Sequence, residues 1–323
     1  MSLLVLCDHD RGTLDEASLE ALTFGRSLAA TAGITCEAVV IGAGADTATA
    51  LLAAHGAQRV HLADHDVLTD YGPEAWGETL TQLVRSVGAT AVTACGTDRG
   101  NEVLAHVAAR LDEPFVANCT DIDPGDAWTM TRVQWGGSLL EDATLDAGTR
   151  VVSVAHHAVE ASPAEEPGEG LVVPFTPDLR AEVARTVVKD RVVLTQGITL
   201  STSPVVVGGG RGVGSEDGFA QLEDLAGALG GVVGCSRAVT NNGWRPHSDQ
   251  VGQTGTRIAP DIYIAAGISG AIQHWVGAMA AKNILAVNTD GEANMVAKAG
   301  YAVIGDLHKV IPAITEEIAR RRG

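Results

Sequence analysis

The chain has 323 residues, 46% of them hydrophobic and 4% aromatic, and 22 Lys+Arg stand against 40 Asp+Glu for a formal net charge of −18. That balance is globular and excludes a disordered chain. The acidity excludes a broad nucleic-acid or anionic-membrane surface, either of which needs basic stripes.

The start, Met1–Asp8, has no basic stretch and meets acid too early for a signal peptide, so Leu3–Cys7 reads as a buried first strand. A periodic stretch from about Asp15 to Ala32 predicts a helix, and Cys36–Ile41 a strand closed by Gly42-Ala43-Gly44. Asp46 is placed to cap a helix running to His55. Arg59–Leu62 and Thr90–Ala94 are strands separated by a helix near Glu74–Val87, and Asn101–Arg110 is the next helix. Strands alternating with helices predict βαβ units and a parallel sheet covered on both faces.

The rhythm changes after Phe115. Trp128–Trp135, Gly137–Leu145 and Thr149–Val154 are strand-like runs with no helix between them, which predicts an antiparallel extension of the sheet. The acidic Pro/Gly stretch 161–170 reads as an exposed loop between domains, while Glu182–Leu194 alternates again and could return to the first domain. The boundary falls near 199, which gives domains at 1–198 and 199–323.

The final third restarts the pattern. Strands are expected at Pro204–Val207, Gly231–Gly234, Asp261–Ala265, Ile284–Val287 and Tyr301–Ile304. Helices are expected at Ser215–Leu229, Ala271–Ala280, Ala293–Ala299 and Leu307–Arg321. The fold class is therefore α/β: two doubly wound domains with mainly parallel sheets, the second Rossmann-like. No apolar run reaches the roughly 18 residues of a membrane helix, so no membrane insertion is expected. Cys7, Cys36, Cys95, Cys119 and Cys235 are scattered, without a C-x-x-C pair. Nothing in that pattern supports a metal site or a disulfide framework, and a reducing cytoplasm fits it.

Ligands of open parallel sheets sit beyond the carboxyl ends of the strands. After the first strand of the second domain comes Gly208-Gly209-Gly210-Arg211-Gly212, either a phosphate cradle or a tight turn. Ser236 and Arg237 follow the next strand. A long polar loop from Thr240 to Thr256 carries Gln250, Gln253 and Thr254, and aperiodic connections of that length are usually functional. Gly267-Ile268-Ser269-Gly270 precedes Ala271-Ile272-Gln273-His274, with Ser269 placed as a helix N-cap. Asn288 and Asp306 end the last two strands, where each serves a ligand or merely caps a helix.

These residues carry a resemblance. Asp261–His274 is similar to the signature of the electron-transfer flavoprotein alpha subunit. Gly209–Gly212, Ser236-Arg237, Gln250–Gly255, Asn288 and Gly305-Asp306-Leu307 agree in order and spacing over residues 204–312. Asp8-His9-Asp10 and Gly136-Gly137-Ser138 extend the likeness more loosely into the first half. Departures occur at Asn288-Thr289-Asp290, where the family often has Asn-Lys-Asp, at Trp135 where tyrosine is common, and at Asn241-Asn242.

The resemblance implies one FAD held mainly by the second domain, and a heterodimer with a beta subunit that carries AMP or, in a bifurcating form, a second FAD. It implies an electron carrier between a flavin-dependent dehydrogenase and a quinone oxidoreductase, rather than an enzyme with its own substrate. An enzyme of the flavin class is the alternative, although no nucleophile–base pair stands out. Carried over, Arg237 would lie against the isoalloxazine, Thr254 near N5 and His274 near O2. Arg211, Ser236, Gln250, Gln253, Gly267, Ser269, Ala271 and Gln273 would line the ribityl and diphosphate path, with Asn288 and Asp306 at the adenosine end. Arg237 and a positively charged His274 would offset the negative charge that reduction places on the N1–C2=O2 edge.

Overall fold

A computed structural model describes residues 1–188 and 198–322, which fall into two units. The first comprises Met1–Trp135 with 139–188; the second comprises Gly136–Ser138 with 198–322.

The first unit opens with β1 (Ser2–Leu6), a short antiparallel pair β2 (His9–Asp10) and β3 (Thr13–Leu14), and α1 (Glu16–Ala32). There follow β4 (Thr35–Ile41), α2 (Thr49–Ala54), β5 (Arg59–Ala63), α3 (Pro73–Val87), β6 (Ala91–Cys95) and α4 (Asp98–Leu111). The unit ends with β7 (Phe115–Asp123), β8 (Trp128–Gln134), β9 (Leu139–Leu145), β10 (Arg150–Val154) and β11 (Leu171–Phe175). Among the described residues these strands form a nine-stranded sheet in the order β11-β5-β4-β1-β6-β10-β7-β8-β9.

Alternation along β1 explains why the sheet is covered twice. Leu3 and Val5 point into a core shared with Leu22 and Leu28 of α1, whereas Leu4 and Leu6 point into one shared with Leu80 of α3 and Leu104 of α4. Each such fully buried side chain contributes about 1.5–3 kcal/mol relative to exposure. Asp15 caps α1 by accepting the Ala17 amide at 3.1 Å, and Gly33 ends it at φ 66°.

Three expectations are corrected here. Thr149–Val154 is not part of the antiparallel run: β10 lies parallel between β6 and β7, and only β7-β8-β9 pair antiparallel. The acidic loop 161–170 does not separate domains. The amides of Ala164 and Gly168 bond to the carbonyls of Ala54 and Ala53, and the loop leads into β11, which pairs with β5. Asp46 caps nothing at a helix start, because it sits inside a 3-10 turn, Ala45–Ala48, that precedes α2. Of the alternating stretch 182–194, residues from 189 onward lie outside the described residues.

The second unit contains β12 (Val205–Gly209), α5 (Ala220–Leu229), β13 (Val232–Cys235), α6 (Arg237–Asn241) and β14 (Ile262–Ala266). It continues with α7 (Ile272–Ala278), β15 (Asn283–Asn288), α8 (Asn294–Lys298), β16 (Tyr301–Ile304) and α9 (Leu307–Arg322). The sheet order is β13-β12-β14-β15-β16, and every pair is parallel. The helix expected from Ser215 starts only at Ala220, after short turns at Arg211–Val213 and Asp217–Phe219. Val207, Phe219, Leu222, Ile264 and Leu307 form the core on one face, and Val206, Tyr263, Ile284 and Met295 that on the other. All five cysteines are buried free thiols; burial raises every one of them, Cys36, Cys119 and Cys235 to about 12.

Candidate functional site

In the second unit the chain goes from β12 outward to β13 and then returns to β14 on the other side of β12. That reversal makes a switch point, where the loops leaving neighbouring strands diverge and open a crevice at their carboxyl ends. A cavity of about 690 Å³ lies there, a volume within the usual range for small-molecule sites.

Its floor depends on backbone lying against backbone. The Gly210 amide bonds to the Ala266 carbonyl at 2.9 Å and the Gly212 amide to the Gly267 carbonyl at 3.1 Å. A Cβ on Gly210 would stand 2.1 Å from the Gly267 oxygen, and Gly267 itself has φ +63°. Only glycine meets both demands. The glycine run is therefore a tight crossing of two loops, and it leaves Arg211 on the cavity wall.

Most of the anticipated residues line this cavity. Arg211, Ser236, Arg237, Gly267, Ser269, Ala271, Gln273, His274 and Asn288 all do. Arg211 and Arg237 are exposed cations, and apart from Asp290 and His274 the rest of the lining is small, apolar or neutral polar. Asn288 is braced by donating to the Ile268 carbonyl at 3.1 Å and accepting the Asp290 amide at 3.1 Å.

Four residues do not reach the lining. Gln250 is 1% exposed, accepts the Thr240 hydroxyl at 2.9 Å and donates to the Thr254 hydroxyl at 3.0 Å, so it braces the loop from inside. Thr254 is the other end of that brace. Gln253 contributes its amide to the Gln273 carbonyl at 2.7 Å, docking the loop on α7. Asp306 accepts the His308 amide at 3.0 Å and starts α9: of its two readings, the helix cap is what the bonds show. Ser269 is not an N-cap either. Ala271 holds that position in α7 without a side-chain bond, and the Ser269 carbonyl accepts the Met295 amide.

The loop carrying Gln250 is ordered by Arg245. This guanidinium donates to Asp249 at 2.9 Å, pairs with Glu223 of α5, and lies 5.6 Å from the Phe219 ring centre. Loop bonds from Val251 to Cys235 and from Thr256 to Gln250 complete the scaffold.

His274 differs most from expectation. Its side chain is buried, and burial holds its pKa down at about 4 against a smaller upward pull from the Val251 backbone, so the ring is neutral in the chain by itself. The charge expected beside a flavin is thus not carried by the chain alone. Nε2 meets the Tyr263 hydroxyl at 2.8 Å, while Nδ1 is buried without a hydrogen-bond partner. Tyr263 escaped the sequence reading although it stands within the signature stretch. Its signal was a tyrosine inside an Ile/Ala strand, since a buried phenol needs a partner. Asn241 and Asp290 also line the cavity without having been assigned to it.

The residues fit FAD on this chain's own evidence: a cavity at a switch point, two arginines for the anionic parts of the cofactor, and one buried ring nitrogen without a hydrogen-bond partner. Switch point and lining together define a nucleotide-binding α/β domain. Residues 199–279 match the family described as Electron transfer flavoprotein FAD-binding domain, and residues 3–179 match Electron transfer flavoprotein domain. "Electron transfer flavoprotein subunit alpha" of Mycobacterium leprae is 36% identical over 322 residues, covering 99% of each chain. The protein of the same name from Mycobacterium tuberculosis H37Rv is 37% identical over 323 residues, with 99% of each chain covered. "Protein FixB" of Bradyrhizobium diazoefficiens is 35% identical over 339 residues, covering 98% of this chain and 88% of that one. The chain belongs to the electron transfer flavoprotein alpha-subunit family. The stretch that matches the FAD-binding domain, 199–279, lies in the second unit.

Proposed function

We propose that this chain pairs with an electron-transfer flavoprotein beta subunit and works as an electron carrier. Residues 1–198 supply the contact with beta and 199–323 hold FAD. Electrons pass from a flavin-dependent dehydrogenase to a quinone oxidoreductase, and the complex resides in the cytoplasm. The observation that carries this reading is the switch-point cavity, whose wall joins two exposed arginines to a buried neutral histidine.

FAD supplies one- and two-electron redox chemistry when bound. The chain supplies position and charge. Arg211 suits the diphosphate, because a guanidinium meets phosphate oxygens with two parallel donors. Arg237, across the cavity, suits the ring system, where a fixed cation favours the reduced, more negative form. Ser236, Ser269, Ala271 and Gln273 supply a neutral wall along the connecting chain, Asn288 a polar edge beyond it, and Gln250, Gln253, Thr254 and Asp306 act through the loops they hold. His274 Nδ1 supports a hydrogen bond to the flavin edge, with Tyr263 on the opposite nitrogen.

The test is co-expression with a beta subunit, isolation of the complex and a count of FAD per dimer. One FAD, reduced by a partner dehydrogenase and reoxidised by an electron acceptor without turnover in the dehydrogenase's absence, is the expected result. Two FAD per dimer would mean a bifurcating complex. Turnover of a substrate by the isolated dimer would overturn the carrier reading.

A further inference from the structure

We propose that Glu20, His156 and His157 form a site for one divalent transition-metal ion of zinc-like chemistry, wholly within the first unit and separate from the FAD site. Glu20 stands on α1, and the two histidines follow the carboxyl end of β10. Although 137 positions separate Glu20 from His157, one donor atom from each of the three residues lies within 4.8 Å of the others.

The distances suit a metal as well as they suit an ion pair. Glu20 Oε1 is 3.0 Å from His157 Nδ1 and 4.0 Å from His156 Nε2. Two ligand atoms on a tetrahedral zinc, with bonds of about 2.0–2.2 Å, lie about 3.3–3.5 Å apart. The observed separations bracket that value, and metal capture requires the two stacked rings to splay until each points a nitrogen at the ion. A single Glu–His pair would not need the second imidazole, yet the rings of His156 and His157 stack with centroids 3.7 Å apart against the same carboxylate.

The carboxylate is already oriented. Glu20 Oε2 accepts the His157 amide at 2.8 Å, leaving Oε1 turned toward both rings. Supporting bonds of this kind fix metal ligands elsewhere. His157 also holds a left-handed backbone at φ 63°, a conformation that costs a non-glycine residue energy and recurs at functional positions. Its Nε2, the nitrogen facing away from Glu20, is buried without a partner. The side chains are 8%, 23% and 13% exposed for Glu20, His156 and His157, so entry is past His156.

Two imidazoles and one carboxylate are borderline donors and favour Zn²⁺, Co²⁺, Ni²⁺ or Cu²⁺ over the hard oxygen-seeking Mg²⁺ and Ca²⁺. With three protein ligands, water completes the shell. His157 lacks the outer acceptor that reinforces most metal-bound histidines, which makes this a reversible, moderate-affinity site rather than a permanent structural one. Bound metal would clasp α1 to the segment after β10.

The test uses the untagged full chain in its complex with beta, FAD loaded and stripped of metal with chelator. Zn²⁺ is titrated calorimetrically, and Co²⁺ by its visible absorption. One saturable equivalent per chain, ligand-field bands of a low-coordinate Co²⁺ nitrogen–oxygen site, and no response to Mg²⁺ are expected. His156→Ala, at the most exposed of the three positions, should weaken binding at least about tenfold while FAD content stays constant. His157→Ala and Glu20→Gln should do the same, and the zinc-induced rise in Tm should vanish in all three. No saturable equivalent in the unmodified complex, or an equivalent that survives in His156→Ala/His157→Ala, would overturn the proposal and leave Glu20–His157 as an ion pair alone.

Discussion

The hydroxyl of Tyr263 meets Nε2 of His274 at 2.8 Å, and both side chains are buried in the second unit. The pair ties a strand residue to a helix residue and gives the imidazole one satisfied nitrogen and one unsatisfied one.

His274 should therefore make stability depend on pH. Its folded pKa of about 4 lies below the ordinary 6.5, so protonation favours the unfolded chain. The contribution is complete above pH 6.5 and is lost as pH falls from there toward 4. The loss amounts to at most about 3 kcal/mol. Urea unfolding across that range should show the decline in the unmodified chain and a shallower one in His274→Gln. Identical slopes would remove His274 as the cause.

Gly210→Ala places a methyl 2.1 Å from the Gly267 oxygen. Neither partner is a flexible side chain, so the two loops must separate. A cost of about 2 kcal/mol or more is expected, together with loss of FAD retention on gel filtration. A variant as stable and as yellow as the parent would contradict the close crossing.

Arg211→Ala should weaken FAD binding about 10- to 100-fold, the equivalent of one charge-assisted contact. Arg237→Ala should instead lower the flavin midpoint potential, because the reduced form loses its fixed cation. Equilibrium dialysis and redox titration separate the two roles. Exchanged outcomes would reverse the assigned orientation of the cofactor.

In the first unit, Glu37 of β4 accepts from His61 at 2.7 Å and from Arg59 at 3.0 Å on the neighbouring strand. The side chains of Glu37 and His61 are 4% and 3% exposed. Removing His61 leaves Glu37 with Arg59 as its charged partner but one buried acceptor oxygen without its donor, so His61→Ala should cost about 1–3 kcal/mol. Chemical denaturation measures it, and Arg59→Ala, on the exposed side of the same carboxylate, should cost less.

Element type and order were readable because hydrophobic runs and helix spacing survive in a single sequence: every strand of the second sheet lies within two residues of its expected place. Pairing direction was less readable. Thr149–Val154 joins the parallel core because β10 inserts between β6 and β7, a long-range choice that local alternation does not encode. At the site, exposed polar residues next to glycines were legible. The burial of His274 and Gln250 was not, since it depends on Tyr263, Thr240 and Thr254 arriving from other segments. An acidic cap and an acidic ligand also look the same in sequence, as Asp306 illustrates.

The five enclosed thiols make the chain its own reporter of local opening. A thiol that stays protonated and covered reacts with an alkylating reagent only when its surroundings come apart. Cys235 alone marks the cofactor-bearing unit, while Cys7, Cys36, Cys95 and Cys119 mark the other. Mass-resolved labelling would thus time the two units separately in one unmodified sample, and show which of them FAD holds shut.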